Sequence, residues 1–276
     1  MVILVMNNQK MRLGFGTWMN VSSTSLEQCI AAASEVGYNY IDTAHIYGNE
    51  SQIGKVLSKL RKSKKPVDLP IQSKVWVSQF NDVKKALSSS LKKLNQTKIW
   101  SYLLHRPHLD MNKTIQAWKQ LIKCKELGMV ENIGVSNFDK DMIKLLIAKT
   151  GVKPWCNQIE LSVNNFREDR LVFNNQEKIV IQAWSPLGVI EKNLKNPILV
   201  KLAKKYKSDV PGILIAFLNS QNIPLIVKSS QPERVISNVN GMKIKLTKTE
   251  IATLRSLNTY ENKAPETYYD QALELN

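Results

Sequence analysis

Hydrophobic positions along this chain repeat in two ways, and the two patterns alternate. Short apolar runs rich in β-branched residues are typical of strands buried on both faces, whereas longer stretches with apolar residues three or four apart are typical of amphipathic helices. The short runs predict eight strands, over Leu13–Thr17, Tyr38–Thr43, Ile71–Val75, Ser101–His105, Ile133–Ser136, Asn157–Glu160, Val180–Ala183 and Leu225–Lys228.

The segments between these strands carry signals for helix ends. The stretch after the first strand follows a Ser/Thr cluster and stops at Gly37, and the stretch after the fourth begins at Asn112 and stops at Gly128. Ser, Asn and Asp favour the start of a helix, and glycine favours its end. The clearest predicted helices cover residues 25–36, 82–94, 112–127 and 139–149.

Strands that alternate with helices predict a parallel sheet joined by right-handed crossovers. Eight such units fit a closed (β/α)₈ barrel, an α/β fold that suits a chain of 276 residues. An open doubly wound sheet gives the same alternation, so periodicity alone leaves both architectures open. We expect one domain over residues 1–276, with a β-hairpin over 1–13 and a surface tail over 259–276.

Composition narrows the class of protein. Hydrophobic residues make up 43% of the chain, which is ordinary for a globular protein. The chain has no run of 18 or more apolar residues, so no membrane span is predicted. The N-terminal segment lacks the basic region and the cleavage site of a signal peptide. Three widely spaced cysteines, Cys29, Cys124 and Cys156, favour reduced thiols in a cytoplasmic protein over disulfides or a zinc site.

The net charge of +16, with a pI of about 9.7, raises the question of a nucleic-acid partner. The lysines, however, are spread over helix-like stretches such as DVKKALSSSLKKL and VKLAKKYKS, and no arginine-rich arm accompanies them. We therefore expect a solvated basic surface, with neither a nucleic acid nor a membrane as partner.

Polar and aromatic side chains gather where the predicted strands end. In a parallel barrel the carboxyl ends of all strands form one face, and active sites lie on that face. The second strand shows the pattern, because its apolar run leads directly into the segment DTAHIYGNE. The residues delivered to this face are Gly16, Thr17, Trp18, Asp42, Thr43, Tyr47, Lys74, Trp76, His105, Ser136, Asn137, Gln158, Glu160, Trp184, Ser185, Pro186, Lys228, Ser229 and Ser230.

Eight segments of the chain resemble, in order, the signatures of the aldo-keto reductases. They are GFGTW, GYNYIDTAHIYGNESQIG, SKVW, SYLLHRP, ENIGVSNF, CNQIEL, AWSPLG and VKSSQPERVISN, and they span residues from about 10 to about 258. The likeness is greatest to the short-loop microbial branch, which includes diketogluconate and methylglyoxal reductases. The resemblance implies a (β/α)₈ barrel that binds NADPH without a Rossmann domain and reduces small carbonyl substrates, and it favours the barrel over the open sheet.

The resemblance places the four catalytic residues at Asp42, Tyr47, Lys74 and His105. Reduction of a carbonyl needs a hydride at carbon and a proton at oxygen, and Tyr47 is the expected proton donor. A free phenol has a pKa near 10, and we expect the ammonium of Lys74, paired with Asp42, to lower the pKa of Tyr47. His105 is expected to orient the substrate oxygen or to share in the proton relay.

The resemblance also implies which residues contact the cofactor. Trp184 takes the place of the aromatic residue that stacks on the nicotinamide ring. Lys228, Ser229 and Arg234 resemble the clamp on the 2′-phosphate of NADPH, and Asn238 resembles the adenine contact. A guanidinium fork and a lysine point charge suit a phosphate, which favours NADPH over NADH. The expected cofactor contacts are Gly16, Thr17, Trp18, Asp42, Ser136, Asn137, Gln158, Trp184, Ser185, Leu187, Lys228, Ser229, Ser230, Arg234 and Asn238.

The expected substrate contacts are Trp18, Trp76, His105 and Arg106. Arg106 departs from the family pattern, because many relatives have a tryptophan after the catalytic histidine. A guanidinium on the pocket wall favours anionic carbonyl compounds such as keto-acid sugars. The alternative is that Arg106 points outward to solvent, and the sequence leaves both open.

Other functions are less well supported by the residues. Some barrels of this family are cofactor-sensing subunits of channels, but the intact Asp-Tyr-Lys-His set favours an enzyme. His45 and Glu50 suggest a metal site shared with His105, yet their spacing matches no helical metal motif, so no metal is expected. Relatives are often monomers, so we expect a monomer, with a dimer left open.

Overall fold

The computed structural model of this protein describes residues 12–20 and 22–259. The predicted hairpin over residues 1–13 and the predicted tail over 259–276 therefore lie almost entirely outside the described residues. Within the described part of the chain, no helix is long and apolar enough to cross a membrane.

Eight parallel strands form a closed barrel in chain order, β1 to β8. The barrel closes where β1 pairs with β8, with Leu13 opposite Leu225 and Gly16 opposite Lys228. The predicted (β/α)₈ barrel is thus confirmed, and the open sheet is excluded. The strands are β1 Leu13–Gly16, β2 Tyr40–Asp42, β3 Ile71–Val75, β4 Ile99–Leu104, β5 Val130–Ser136, β6 Cys156–Glu160, β7 Val180–Trp184 and β8 Leu225–Lys228.

Helices connect the strands and surround them. The described residues hold eleven α-helices, and two 3₁₀ helices lie at His45–Tyr47 and Val77–Asp82. The α-helices are α1 Ser23–Val36, α2 Glu50–Leu60, α3 Val83–Leu94, α4 Met111–Glu126, α5 Lys140–Thr150, α6 Glu168–Gln176, α7 Ile190–Asn193, α8 Pro197–Lys205, α9 Val210–Ser220, α10 Pro232–Lys243 and α11 Lys248–Arg255.

The helix ends follow from local chemistry, with one correction. The carboxylates of Asp82 and Asp139 accept backbone N–H bonds at the starts of α3 and α5. Gly37 ends α1 in the left-handed region, with a φ of 92°. The predicted N-cap at Asn112 is wrong, because Asp110 caps α4 by accepting from the Asn112 backbone N–H. A carboxylate two residues upstream reaches the unpaired N–H groups of the first turn.

The two faces of the strands carry different side chains. Outward-facing residues such as Phe15, Tyr102 and Leu104 are fully buried against the helices and form the hydrophobic core. The inner face of β2, β3, β6 and β7 carries polar side chains instead, which bond to one another across the barrel. The polar groups therefore lie inside the barrel, directly below the carboxyl ends of the strands.

The packing of α2 on α3 gives a test of this fold. A Cβ at Gly54 would lie 2.2 Å from the backbone oxygen of Lys93. We expect Gly54→Ala to lower the free energy of unfolding by about 1–3 kcal/mol, because the clash is with backbone, although alanine favours a helix over glycine by about 1 kcal/mol. Urea denaturation measures the change. The exposed neighbour Lys55→Ala is the control, and equal stabilities of the two variants would contradict this packing.

Candidate active site

A cavity of about 510 Å³ opens at the carboxyl ends of the strands. This volume suits a small-molecule site. Most of the residues expected from the sequence meet on its walls, together with Ile46, Ile190, Ile226 and Val227, which the sequence analysis did not single out. The expected residues that line it are Gly16, Thr17, Trp18, Asp42, Tyr47, Trp76, His105, Arg106, Ser136, Asn137, Gln158, Trp184, Ser185, Leu187 and Lys228.

Lys74 lies beneath the cavity and is completely buried. Its ammonium group donates to Asp42 Oδ1 at 2.7 Å, to the Thr43 backbone oxygen at 3.0 Å and to the Tyr47 hydroxyl at 3.5 Å. The three N–H donors of the ammonium therefore each have an acceptor. β2 and β3 are neighbours in the barrel, so their parallel pairing brings Asp42 and Lys74 together.

Tyr47 stands at the end of the 3₁₀ helix that follows β2. Its ring lies edge-on to Trp18, with centroids 4.9 Å apart, and to His105, with centroids 5.7 Å apart. Burial raises the pKa of Tyr47 above its ordinary value, and the Lys74 ammonium opposes this only in part. The expected lowering by Lys74 is present, but the net shift is upward, because the desolvation of the phenolate outweighs the nearby positive charge.

His105 follows β4 and faces the cavity beside Tyr47 and Trp76. Its backbone oxygen accepts a hydrogen bond from Asn137 Nδ2 at 3.1 Å. Burial, with the positive charges of Lys74 and Arg106, holds the pKa of His105 well below its ordinary value. A neutral ring at this position can form a hydrogen bond with a substrate oxygen, and it adds no further positive charge to the site.

Asp42 uses its second carboxylate oxygen as well. Oδ2 accepts hydrogen bonds from Gln72 Nε2 at 2.9 Å and from Gln158 Nε2 at 3.0 Å. Gln72 and Gln182, which complete this cluster, were missed by the sequence analysis. A signal was available: each is a glutamine inside an apolar strand, two residues before Lys74 or Trp184, and so it faces the barrel interior.

One wall of the cavity is a chain of hydrogen bonds. Trp184 Nε1 donates to Asn137 Oδ1 at 3.0 Å, and Asn137 Nδ2 donates to Ser136 Oγ at 3.1 Å. Ser136 Oγ in turn donates to the Gln158 backbone oxygen at 2.8 Å. Asn137 has a φ of 64°, which asparagine tolerates better than most residues. These contacts fix the amides and the indole ring relative to one another.

The residues expected to hold a phosphate lie around the start of α10. Lys228 is exposed and lines the cavity, and Arg234 is exposed on the first turns of the helix. Ser229 Oγ accepts from the Gln231 backbone N–H at 3.0 Å, which shapes the turn into the helix. Asn238, the expected adenine contact, lies further along α10, where it is buried and donates to the Tyr38 hydroxyl at 3.4 Å.

Ser229, Ser230, Arg234 and Asn238 do not line the cavity itself. Ser230 is exposed, and its backbone oxygen accepts from Ser25 Oγ at 2.7 Å. Ser229 and Ser230 lie in the loop that follows β8, and Arg234 and Asn238 lie on α10, so the structure does not bring these four residues into the cavity.

Two asparagines missed by the sequence analysis brace the loops around the cavity. Asn49 Nδ2 donates to the Thr17 backbone oxygen at 2.8 Å, while its oxygen accepts from Thr43 Oγ1 at 3.0 Å. Asn20 Nδ2 donates to the Ser229 backbone oxygen at 3.3 Å. The loops after β1, β2 and β8 are therefore tied together below the cavity rim.

Arg106 lies on the cavity wall and is only 3% exposed. Its guanidinium carbon is 5.7 Å from the centre of the Trp76 ring, a distance that allows a cation–π contact. The alternative in which Arg106 points to solvent is wrong, because the side chain folds back over Trp76 into the site.

The suspected metal ligands do not converge. His45 Nδ1 lies 3.9 Å from Glu50 Oε2, and Glu50 begins α2, where its other oxygen accepts from Ser73 Oγ. Within the ranges 12–20 and 22–259, no group of three or more His, Cys, Asp or Glu side chains is placed to hold a metal ion.

The sequence of this barrel matches that of a known family. The model of the aldo/keto reductase family covers residues 12–259. The chain belongs to the aldo/keto reductase family. This membership makes it an oxidoreductase of small carbonyl compounds, as predicted from its motifs.

Individual relatives agree with this membership. The chain is 32% identical over 256 residues to methylglyoxal reductase DkgA of Escherichia coli strain K12, covering 92% of each protein. The crystal structure of an aldo/keto reductase from Brucella melitensis superposes with a TM-score of 0.82 at 32% identity, over 89% of this chain and 93% of that one. A Bombyx mori aldo-keto reductase in complex with NADP gives a TM-score of 0.84 at 26% identity, over 94% and 92%.

The neutral state of His105 in this reductase predicts a pH dependence of stability. The folded protein keeps the ring unprotonated, whereas the unfolded chain binds a proton below about pH 6.5. The stability linked to His105 is therefore fully present above about pH 6.5. As the pH falls below this value, the free energy of unfolding decreases by up to about 1.4 kcal/mol per pH unit. His105→Gln should lose less stability than the wild type between about pH 7 and pH 5.5 in urea denaturation. Equal losses in the two proteins would contradict the assignment.

Proposed function

We propose that this reductase uses NADPH to reduce aldehydes or ketones to alcohols, with Tyr47 as the proton donor. The observation that carries the proposal is the line of contacts from Asp42 through Lys74 to the Tyr47 hydroxyl, at 2.7 Å and 3.5 Å. This line ends at a cavity wall, where a carbonyl oxygen can meet the hydroxyl. The raised pKa of Tyr47 keeps its proton in place at neutral pH until a base, the developing alkoxide, takes it.

When bound, the cofactor supplies the hydride that adds to the carbonyl carbon. Tyr47 gives its proton to the carbonyl oxygen, and the resulting phenolate is stabilised by the ammonium of Lys74. Asp42 holds Lys74 in place and balances its charge where both side chains are buried. His105, neutral and beside Tyr47, orients the same oxygen by a hydrogen bond. These two side chains thus define where the carbonyl oxygen lies.

The donor set of the cavity fits the ends of NADPH. Asn137 and Gln158 are amide groups that match a carboxamide, and the Trp184 ring offers a flat apolar surface beside them. Lys228 and Arg234 flank the start of α10 and place two positive charges beside the cavity, where they can bind an anion. These two cations support the 2′-phosphate, hence NADPH over NADH. The relative from Bombyx mori, in complex with NADP, supports the same choice.

For the substrate we propose a small carbonyl compound with an anionic group, or a small dicarbonyl. The buried guanidinium of Arg106 supports the first, because it can bind a carboxylate with two parallel hydrogen bonds. The relative named methylglyoxal reductase supports the second. Trp18 and Trp76 would border the rest of the molecule with apolar surface.

The proposal also covers the domain organisation, the oligomeric state and the cellular location of the protein. We propose a single-domain, monomeric enzyme of the cytoplasm. The thiols of Cys29, Cys124 and Cys156 are free and buried, which supports a reducing compartment.

Turnover with purified protein tests the proposal. We expect the wild type to oxidise NADPH in the presence of methylglyoxal, a keto-acid sugar or glyceraldehyde, and to bind NADH more weakly. Tyr47→Phe should lower kcat by about 10²–10⁴-fold, the usual contribution of a general acid, and should keep its affinity for NADPH. Absorbance of NADPH measures the rate, and quenching of tryptophan fluorescence measures the affinity.

The matched control is Tyr206→Phe, whose hydroxyl bonds to Glu250 outside the cavity. It should keep the wild-type kcat. Full activity of Tyr47→Phe would contradict the role of the hydroxyl. NADPH binding without turnover on any substrate would favour the cofactor-sensing module over the enzyme.

Arg106→Met separates the two substrate classes. We expect the KM for a 2-oxo acid to rise at least about tenfold, because a charge-assisted hydrogen bond contributes about 1.5–3 kcal/mol and about 1.4 kcal/mol is tenfold. The KM for the amide of the same acid should stay close to that of the wild type. The control is Arg61→Met. Arg61 directly follows the last residue of α2 and forms an ion pair with Asp68. An unchanged ratio of the two KM values would exclude Arg106 as the carboxylate contact.

A further inference from the structure

Four side chains inside the barrel form a closed ring of hydrogen bonds. Gln72 Nε2 donates to Asp42 Oδ2 at 2.9 Å and to Gln182 Oε1 at 2.8 Å. Gln158 Nε2 donates to the same two oxygens, at 3.0 Å and 3.3 Å. Each amide nitrogen therefore uses both of its N–H groups, and each oxygen accepts twice. The ring joins β2, β3, β6 and β7 across the barrel interior.

The carboxylate of Asp42 sets the direction of every bond in this ring. An ionised carboxylate only accepts, so Gln72 and Gln158 both turn their NH₂ groups toward it. The second N–H of each amide then needs an acceptor, which is the oxygen of Gln182. A reversed amide at Gln182 would place donors against donors. One negative charge thus orders three amides.

The ring is buried, so its bonds are not exchanged with solvent. Gln72, Gln158 and Gln182 are each at most 2% exposed. Gln72 Oε1 is buried, and no hydrogen-bond donor reaches it among the residues that the structure describes. The amide of Gln72 is therefore held in place by the two hydrogen bonds that it donates, although its own oxygen accepts none.

Two members of the ring face the cavity, and two do not. Asp42 and Gln158 line it, whereas Gln72 and Gln182 lie behind them. Because both N–H groups of Gln158 are engaged in the ring, Oε1 is the side-chain atom left for a ligand. Asp42 turns the NH₂ group of Gln158 into the ring, and Gln182 holds it there by accepting its second N–H, so that Oε1 stays directed to the cavity.

We infer that Gln72 and Gln182 are positioning residues of this enzyme, which link the proton-donor side of the site to the cofactor side. Gln182 fixes the amide of Gln158 that faces the nicotinamide, and Gln72 fixes the carboxylate that holds Lys74. The inference rests on the proposed function, since it assigns these glutamines to the same reaction.

Substitutions to methionine, which keeps the size of glutamine without its amide, test the two roles. Gln182→Met should weaken NADPH binding about tenfold, the loss that one hydrogen bond accounts for, and change kcat by less than about threefold. Gln72→Met should lower kcat about tenfold and change the Kd for NADPH by less than about threefold. Fluorescence quenching gives the Kd, and NADPH absorbance gives kcat.

Gln72→Glu gives a signature that a purely structural role would not produce. The introduced carboxyl can donate to Asp42 only while it is protonated, and two adjacent carboxylates cannot both ionise easily. We expect kcat per folded protein to fall as the pH rises through the pKa of the new carboxyl. The wild type should lack this limb, and Gln72→Met should be low at every pH.

Gln120→Met is the matched control for loss of stability. Gln120 bonds to the Val83 backbone N–H and to the Phe80 oxygen, at 2.9 Å and 3.0 Å, away from the cavity. The Tm of the Gln120→Met variant should fall, while its Kd for NADPH and its kcat stay at wild-type values.

The inference is overturned if both methionine variants behave like Gln120→Met, or if Gln72→Glu keeps the wild-type pH profile. If Gln72→Met does not fold, Gln72→Glu carries the comparison; if Gln182→Met does not fold, Gln182→Leu, which likewise removes the acceptor, replaces it. A wild type that binds no nicotinamide cofactor overturns the proposed function and this inference together, whereas an active wild type with unaffected variants overturns the inference alone.

Discussion

The buried ion pair between Lys74 and Asp42 is the interaction on which the rest of the site depends. Removing two charges from water is costly, and their mutual attraction offsets this only when the remaining donors and acceptors are matched. Here the ammonium has three acceptors, and the carboxylate has three donors. A pair of this kind contributes little net stability compared with apolar residues of the same size. Its value lies in the chemistry that a fixed ammonium makes possible at Tyr47.

The charge state of the cavity follows from burial together with the charge of Lys74. Lys74 favours a phenolate at Tyr47 and disfavours an imidazolium at His105, and burial works against the charged form of both residues. The result is a protonated phenol beside a neutral imidazole. These are the states that a proton donor and a hydrogen-bonding partner need at neutral pH. Burial therefore decides both protonation states, with Lys74 opposing it at Tyr47 and reinforcing it at His105.

The barrel supplies the rigidity that this chemistry requires. Its strands place the charged pair and the glutamine ring on regular structure, and Asn49 binds the loops that carry Thr17 and Thr43. Two residues that line the cavity have an unusual backbone conformation. Asn137 and Ser185 both have positive φ angles, at 64° and 49°, a conformation that is costly for serine. Neighbouring hydrogen bonds hold the first of these in place.

The sequence by itself determined the alternation of strands and helices, most helix ends and the residue types at the strand ends, because these depend on short-range patterns. Its motifs identified the family and hence the closed barrel. The tertiary structure alone decided the direction of the Tyr47 pKa shift, the inward turn of Arg106 and the ring that includes Gln72 and Gln182. Each of these depends on burial or on contacts between distant strands, for which a local pattern holds no information.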